Sequence, residues 1–158
     1  NNYFPCHTDD SCSLIPATGV LLYCVEPALK GGDTLLVHIN NILSHLSLTK
    51  INKLKLPIYP FQFGFAHIQK ENNQNFEIRY NRIEINRFSK ILQTKFDFSK
   101  SALLDELDDI LYKEAINNKF ILKNRDCLIL NNTKILHGRT AFNKKSKRLL
   151  KRIRVYLV

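Results

Sequence analysis

The sequence predicts a mostly β fold with inserted helices, and three observations carry that prediction. Apolar, β-branched and aromatic runs bounded by Gly, Pro and Asn recur towards both ends of the chain. A single long stripe of helical period lies between them, and no internal repeat or low-complexity segment competes with it. With 158 residues, 44% of them hydrophobic, the chain can bury one core, so residues 1–158 are read as a single domain with a helical insert near 99–118.

Residues 18–25 contain a nearly continuous apolar run, expected to be a strand buried on both faces and ended by Glu26-Pro27. Gly31-Gly32 marks a turn into a second strand, Asp33 to Val37. Ile39, Ile42, Leu43 and Leu46 follow helical spacing and predict a short helix over 39–47. Phe61 to Ile68 and Phe76 to Ile85 alternate in part and flank Glu71-Asn72-Asn73-Gln74-Asn75, which predicts a hairpin. Ser99 or Ser101 can cap a helix whose Leu103, Leu104, Leu107, Ile110 and Leu111 share one stripe. Three further strands are expected at 126–130, 134–137 and 149–158. Strands at both ends with helices between them suggest a barrel or sandwich whose two sheets carry the ends of the chain.

Net charge is +10, and much of the excess sits late, in Lys144, Lys145, Lys147, Arg148, Lys151, Arg152 and Arg154. Such a segment either offers a face to nucleic acid or supplies guanidinium groups to small carboxylates, and the second reading is preferred because no nucleic-acid-binding motif accompanies it. Cys6, Cys12, Cys24 and Cys127 form neither Cys-x-x-Cys pairs nor a dense even framework, which fits reduced thiols in the cytoplasm. No apolar run reaches the ~20 residues of a membrane span. The chain starts at Asn1 and contains no Met, so the N-terminal part of a longer protein is expected to be missing.

His7-Thr8-Asp9 is the first chemical signal. On a strand, residues i and i+2 share a face, so His7 and Asp9 can reach one metal while Thr8 points away. His137, in Leu136-His137-Gly138-Arg139-Thr140-Ala141-Phe142, can complete a facial set of two imidazoles and one carboxylate, the arrangement that holds non-haem Fe(II) with positions left open. Gly31-Gly32-Asp33-Thr34 and Arg148 add a hydroxyl and a planar guanidinium suited to a carboxylate. His38 borders a helix start and His67 sits in an alternating strand, so neither is read as a ligand. Arg139 is read as a structural ion-pair partner on the face opposite His137, and Cys6 as a neighbour of the metal site.

In order and spacing these motifs resemble the taurine dioxygenase-like family of Fe(II)/2-oxoglutarate-dependent oxygenases, nearest to its clavaminate synthase-type and γ-butyrobetaine hydroxylase-type branches. The resemblance runs from His7 to Arg152 and implies a double-stranded β-helix, or jelly roll. It implies His7, Asp9 and His137 as iron ligands and Arg148 with Thr34 as partners of the distal 2-oxoglutarate carboxylate. Arg152 would lie near the co-substrate or the substrate. Arg79, in Arg79-Tyr80-Asn81-Arg82, is either a contact for a substrate carboxylate or a solvent-facing residue. The implied activity consumes 2-oxoglutarate and O₂, releases succinate and CO₂, and hydroxylates or desaturates a small polar metabolite such as an amino acid or related amine acid. Related halogenases lack the carboxylate ligand, so Asp9 favours oxidation over halogenation. The expected partner is a small molecule, with neither nucleic acid nor membrane. The alternative is a basic nucleic-acid-binding module without catalysis.

Overall fold

The computed structural model describes residues 2–72, 75–95, 97–98, 101–143 and 145–156. Eleven strands and four helices follow in order among them: β1 (Phe4–His7), β2 (Gly19–Glu26), β3 (Thr34–His38), α1 (Ile39–Leu43), α2 (Leu48–Leu54), β4 (Tyr59–Phe61), β5 (Gly64–Ala66), β6 (Gln69–Asn72), β7 (Asn75–Ile78), α3 (Arg82–Ile91), α4 (Ala102–Asn117), β8 (Lys119–Phe120), β9 (Cys127–Asn131), β10 (Ile135–Arg139) and β11 (Leu149–Val155). Two sheets carry the ends of the chain, as expected: a four-stranded sheet in the order β1-β10-β3-β8 and a three-stranded sheet in the order β11-β2-β9.

Alternation along the strands divides the structure into two packed interfaces. Leu35, Val37 and Leu136 turn one face of the four-stranded sheet to the main core, which α4 completes with Leu104, Leu107, Leu111 and Ala115. Ser101 caps α4 by accepting from the Leu104 N–H, which frees an otherwise unpaired donor to be satisfied at the helix start. A Leu107→Ala change in that core would cost about 2–5 kcal/mol. The opposite face presents Leu36 and Ile135 to Val20, Leu22 and Leu130 of the three-stranded sheet. This second, smaller core is where the two sheets meet.

Several expectations change on contact with the structure. β2 is not buried on both faces: Val20, Leu22 and Cys24 are buried, while Leu21 and Val25 are half-buried and Tyr23 is exposed, because only one side of this sheet is covered. The single hairpin expected from 61–68 and 76–85 is instead two tight ones, β4 with β5 and β6 with β7. Beyond β7 the chain turns helical: Asn81 caps α3 by accepting from Ile83 and Glu84 N–H groups, and Ile85, Phe88 and Ser89 face inward. The helix expected over 39–47 stops at Leu43, and α2, capped by Ser47, follows it. α4 is the long helix expected from the stripe of Leu103, Leu104, Leu107, Ile110 and Leu111, while the alternative cap Ser99 lies outside the described residues.

No helix among the described residues is long and apolar enough to cross a membrane. All four cysteines are free.

Candidate metal and co-substrate site

β1 and β10 pair antiparallel with His7 directly opposite His137, so the two imidazoles leave the sheet side by side on the same face. Their ring centroids are 4.6 Å apart. Gly138 makes this pairing possible. A Cβ there would sit 2.7 Å from the Phe4 carbonyl oxygen and 3.0 Å from the Cys6 nitrogen, so any larger residue would push β1 away.

Asp9 reaches the pair by a route other than the predicted one. β1 ends at His7, and Asp9 lies in the turn beyond it. That turn is held from two directions. The Thr8 N–H donates to the Tyr80 carbonyl at 2.8 Å, and the Tyr80 N–H returns a bond to the Thr8 hydroxyl at 3.0 Å. The Asp9 N–H donates to Asn132 Oδ1 at 2.8 Å. Asp9 Oδ1 then stands 3.5 Å from His7 Nε2 and 3.8 Å from His137 Nε2. One ligand atom from each of His7, Asp9 and His137 lies within 4.8 Å of the others, and all three residues are buried.

The protonation chemistry suits a metal. His7 Nδ1 lies 3.1 Å from the Pro5 carbonyl, to which it can only donate, and Nε2 is the ring nitrogen turned towards Asp9. Burial, helped by the neighbouring His7, pushes His137 down to about 4, so its imidazole is neutral at physiological pH. Burial alone would raise the Asp9 carboxyl, but its close neighbours His7 and His137 and the Arg152 guanidinium, 2.7 Å from Oδ1, outweigh it and hold Asp9 below its ordinary value. Two imidazoles and a carboxylate are the donor set of a non-haem iron site.

A cavity of about 330 Å³ opens between the sheets beside these ligands, lined by His7, His137, Thr34, Arg139, Arg148 and Arg152 among others. The Thr34 hydroxyl is buried without a hydrogen-bond partner among the described residues. Arg148 is half-buried, and its burial together with nearby Arg139 lowers its guanidinium pKa from the usual value. Guanidinium groups and a hydroxyl lining one small cavity have the chemistry that suits a carboxylate anion. A larger cavity of about 640 Å³ near Tyr59, Phe65 and Phe98 has neither an acid nor an imidazole in its lining.

A family model described as taurine catabolism dioxygenase TauD, TfdA family matches residues 1–154. The chain belongs to the TauD/TfdA family. Among curated protein sequences none matches. Of the solved structures, asparagine oxygenase is similar at a TM-score of 0.79 and 16% identity, covering 98% of this chain and 49% of that one. Its complex with Fe(II), 3-hydroxyasparagine and succinate matches at 0.75 and 16%, covering 98% and 50%. The non-heme iron oxygenase OrfP in complex with Fe and α-ketoglutaric acid matches at 0.68 and 17%, again covering 98% and 50%. These likenesses show the fold, the jelly-roll core expected from the sequence. The chain spans about half the length of the solved chains it matches.

In this TauD/TfdA chain the remaining predicted residues separate. Thr34 and Arg148 share the cavity with the histidines, whereas Arg152 also reaches Asp9 Oδ1, with Nη1 2.7 Å away. Arg79 is not in that cavity. Its guanidinium lies over the Phe61 and Phe63 rings, at 5.4 and 5.3 Å, and lines a separate cavity with His67 and Glu77. Arg139 corrects its expected place: two residues after His137 it shares that residue's face, and it stacks on Phe142 at 4.5 Å with no ion pair among the described residues. Cys6 points the other way, into the main core, where burial pushes its thiol up to about 12. His38 caps α1, accepting from the Asn40 N–H. Asn132 and Tyr156, which no motif singles out, and Arg154, named only within the basic run, are the residues overlooked.

Proposed function

We propose that this chain carries the iron and 2-oxoglutarate site of a dioxygenase that hydroxylates or desaturates an amino acid or related amine acid. The observation that carries the reading is the convergence of His7, Asp9 and His137 beside a cavity that also holds Thr34 and Arg148. In this reading His7 Nε2, Asp9 Oδ1 and His137 hold Fe(II), and the Arg148 guanidinium and Thr34 hydroxyl receive the distal carboxylate of 2-oxoglutarate. With 2-oxoglutarate and O₂, the iron supplies the chemistry that couples oxidative decarboxylation, giving succinate and CO₂, to oxidation of a substrate C–H bond.

The protein's own part is positioning and exclusion. Leu22, Leu150 and Phe4 give the cavity apolar walls, which strengthen the pull of Arg148 on a carboxylate. Arg152 sits between Asp9 and the cavity, where it balances the charge of the ligand carboxylate and faces the co-substrate. Arg79 is kept as a contact for a substrate carboxylate because its guanidinium has no ion pair among the described residues. The amino-acid class is supported by the similar asparagine oxygenase and by OrfP, which is solved with a hydroxylated arginine. Arg148, Arg152 and Arg154 turn towards the cavity or Asp9, and that placement favours this reading over a basic nucleic-acid-binding module.

Anaerobic addition of Fe(II) and 2-oxoglutarate should produce a weak visible charge-transfer absorption, lost in Asp9→Ala and His137→Ala. Succinate release across a panel of free amino acids then identifies the substrate. A folded protein that shows neither the absorption nor succinate release rules the reading out.

A further inference from the structure

We propose that Arg154, itself held by Asp10 and Tyr156, is the positioning residue that decides which oxygen of Asp9 faces the metal. The proposal rests on His7, Asp9 and His137 being the metal ligands. An aspartate carboxylate turns about a broad, nearly two-fold torsion, so nothing in Asp9 itself distinguishes Oδ1 from Oδ2. The surroundings do. Oδ1 faces His7 Nε2 and His137 Nε2 and is 2.7 Å from Arg152 Nη1. Oδ2 receives the Arg154 Nε–H at 3.4 Å.

Arg154 is fixed in turn. Its Nε lies 3.3 Å from Asp10 Oδ1, and Asp10 Oδ2 accepts the Tyr156 hydroxyl. Arg152, Arg154 and Tyr156 alternate at the end of the chain, so a run of period two brings three polar side chains to one face. Asp10 reaches them because its backbone adopts φ 52°, and the resulting turn is closed by the Ser13 N–H donating to the Asp10 carbonyl at 2.9 Å. The Arg154 and Asp10 charges cancel. Asp9 therefore gains an anchor on Oδ2 without a net positive charge being placed beside the cation it is to bind.

The anchor has a chemical consequence. A carboxylate free to turn can offer both oxygens to one metal and occupy a position that an oxygenase of this donor set leaves open. Holding Oδ2 on Arg154 presents Oδ1 alone. Groups that orient a metal ligand in this way typically contribute about ten- to a hundred-fold to metal affinity.

Mn(II) titration of the purified protein, followed by loss of the free-ion paramagnetic resonance signal, tests this with the metal alone. Arg154→Gln is expected to weaken Mn(II) binding about tenfold. Tyr156→Phe, which leaves the charge unchanged, is expected to weaken it by a smaller factor. The sign discriminates, because removing a nearby cation would by charge alone tighten binding. If Asp9→Ala loses Mn(II) while Arg154→Gln binds as tightly as the wild type or more tightly, the proposal is overturned and the metal reading stands. A wild-type protein that takes up no Mn(II) overturns the metal reading and the proposal with it.

Discussion

Asn132 grips Asp9 on both sides of its backbone. Its Oδ1 accepts the Asp9 N–H at 2.8 Å, and its Nδ2 donates to the Asp9 carbonyl at 2.9 Å and to the Ala17 carbonyl at 2.7 Å. One buried amide thus satisfies three backbone groups of the loop between β1 and β2, two of them on Asp9, and it does so from the residue just after β9. The carboxylate of the proposed site is held where it is by a residue 123 positions away.

Asn132→Ala should therefore act on both stability and metal uptake. Three buried backbone groups lose their partner, a loss of about 2–4 kcal/mol that urea denaturation would register. Mn(II) affinity should fall in the same variant, since Asp9 no longer has a fixed backbone. A variant with wild-type stability would show that this clamp is dispensable.

Much of the fold was legible because the strands carry β-branched and apolar runs and α4 carries one clean stripe. α3 was not, because Ile83 and Ile85 alternate like a strand, while its inward face of Ile85, Phe88 and Ser89 contains few apolar residues. α2 buries only Leu54, too little to leave a period in the sequence. Of the candidate site, His7, Asp9, His137, Thr34 and Arg148, which the structure brings together around one cavity, were legible as motifs. Asn132, Arg154 and Tyr156 act through contacts more than a hundred residues apart in the chain, and no local pattern marks such partners. Arg139 was misplaced although a strand's period of two already puts it on the face of His137.

His67 supplies a pH dependence separate from the metal site. Burial, with Arg79 and Lys70 nearby, lowers its pKa below the usual 6.5, and Glu77 opposes this only in part. A histidine depressed in the folded state binds fewer protons there than in the unfolded chain. Its contribution is then complete above the unfolded value and is lost as pH falls through the folded one. Urea midpoints should drop more steeply between pH 7.5 and pH 5.5 in the wild type than in His67→Gln. Parallel pH profiles would show that His67 has no part in this.

Thr34→Val removes a buried hydroxyl that has no partner among the described residues, so the protein should lose little or no stability, within about 0.5 kcal/mol. If that hydroxyl receives the 2-oxoglutarate carboxylate, a hydrogen bond to a charged group disappears and the KM for 2-oxoglutarate should rise about tenfold. Thermal melting and succinate release measured on one preparation separate the two effects. An unchanged KM would remove Thr34 from the co-substrate site.

Gly32→Ala should damage the proposed co-substrate pocket while leaving the proposed metal ligands alone. Gly32 sits at φ +74°, where a Cβ costs about 1–2 kcal/mol, and that atom would stand 2.9 Å from the Ala28 Cβ, 3.0 Å from Arg148 Cδ and 3.2 Å from Arg148 Nε. The backbone of Ala28 cannot easily retreat, whereas the Arg148 side chain can, so the guanidinium is the group displaced. A bidentate clamp that shifts by a fraction of an ångström loses alignment with a planar carboxylate. The expected result is a several-fold rise in the KM for 2-oxoglutarate together with Mn(II) binding close to that of the wild type, because His7, Asp9 and His137 belong to other segments. Equal losses in both measurements would mean that the turn supports the whole site rather than Arg148.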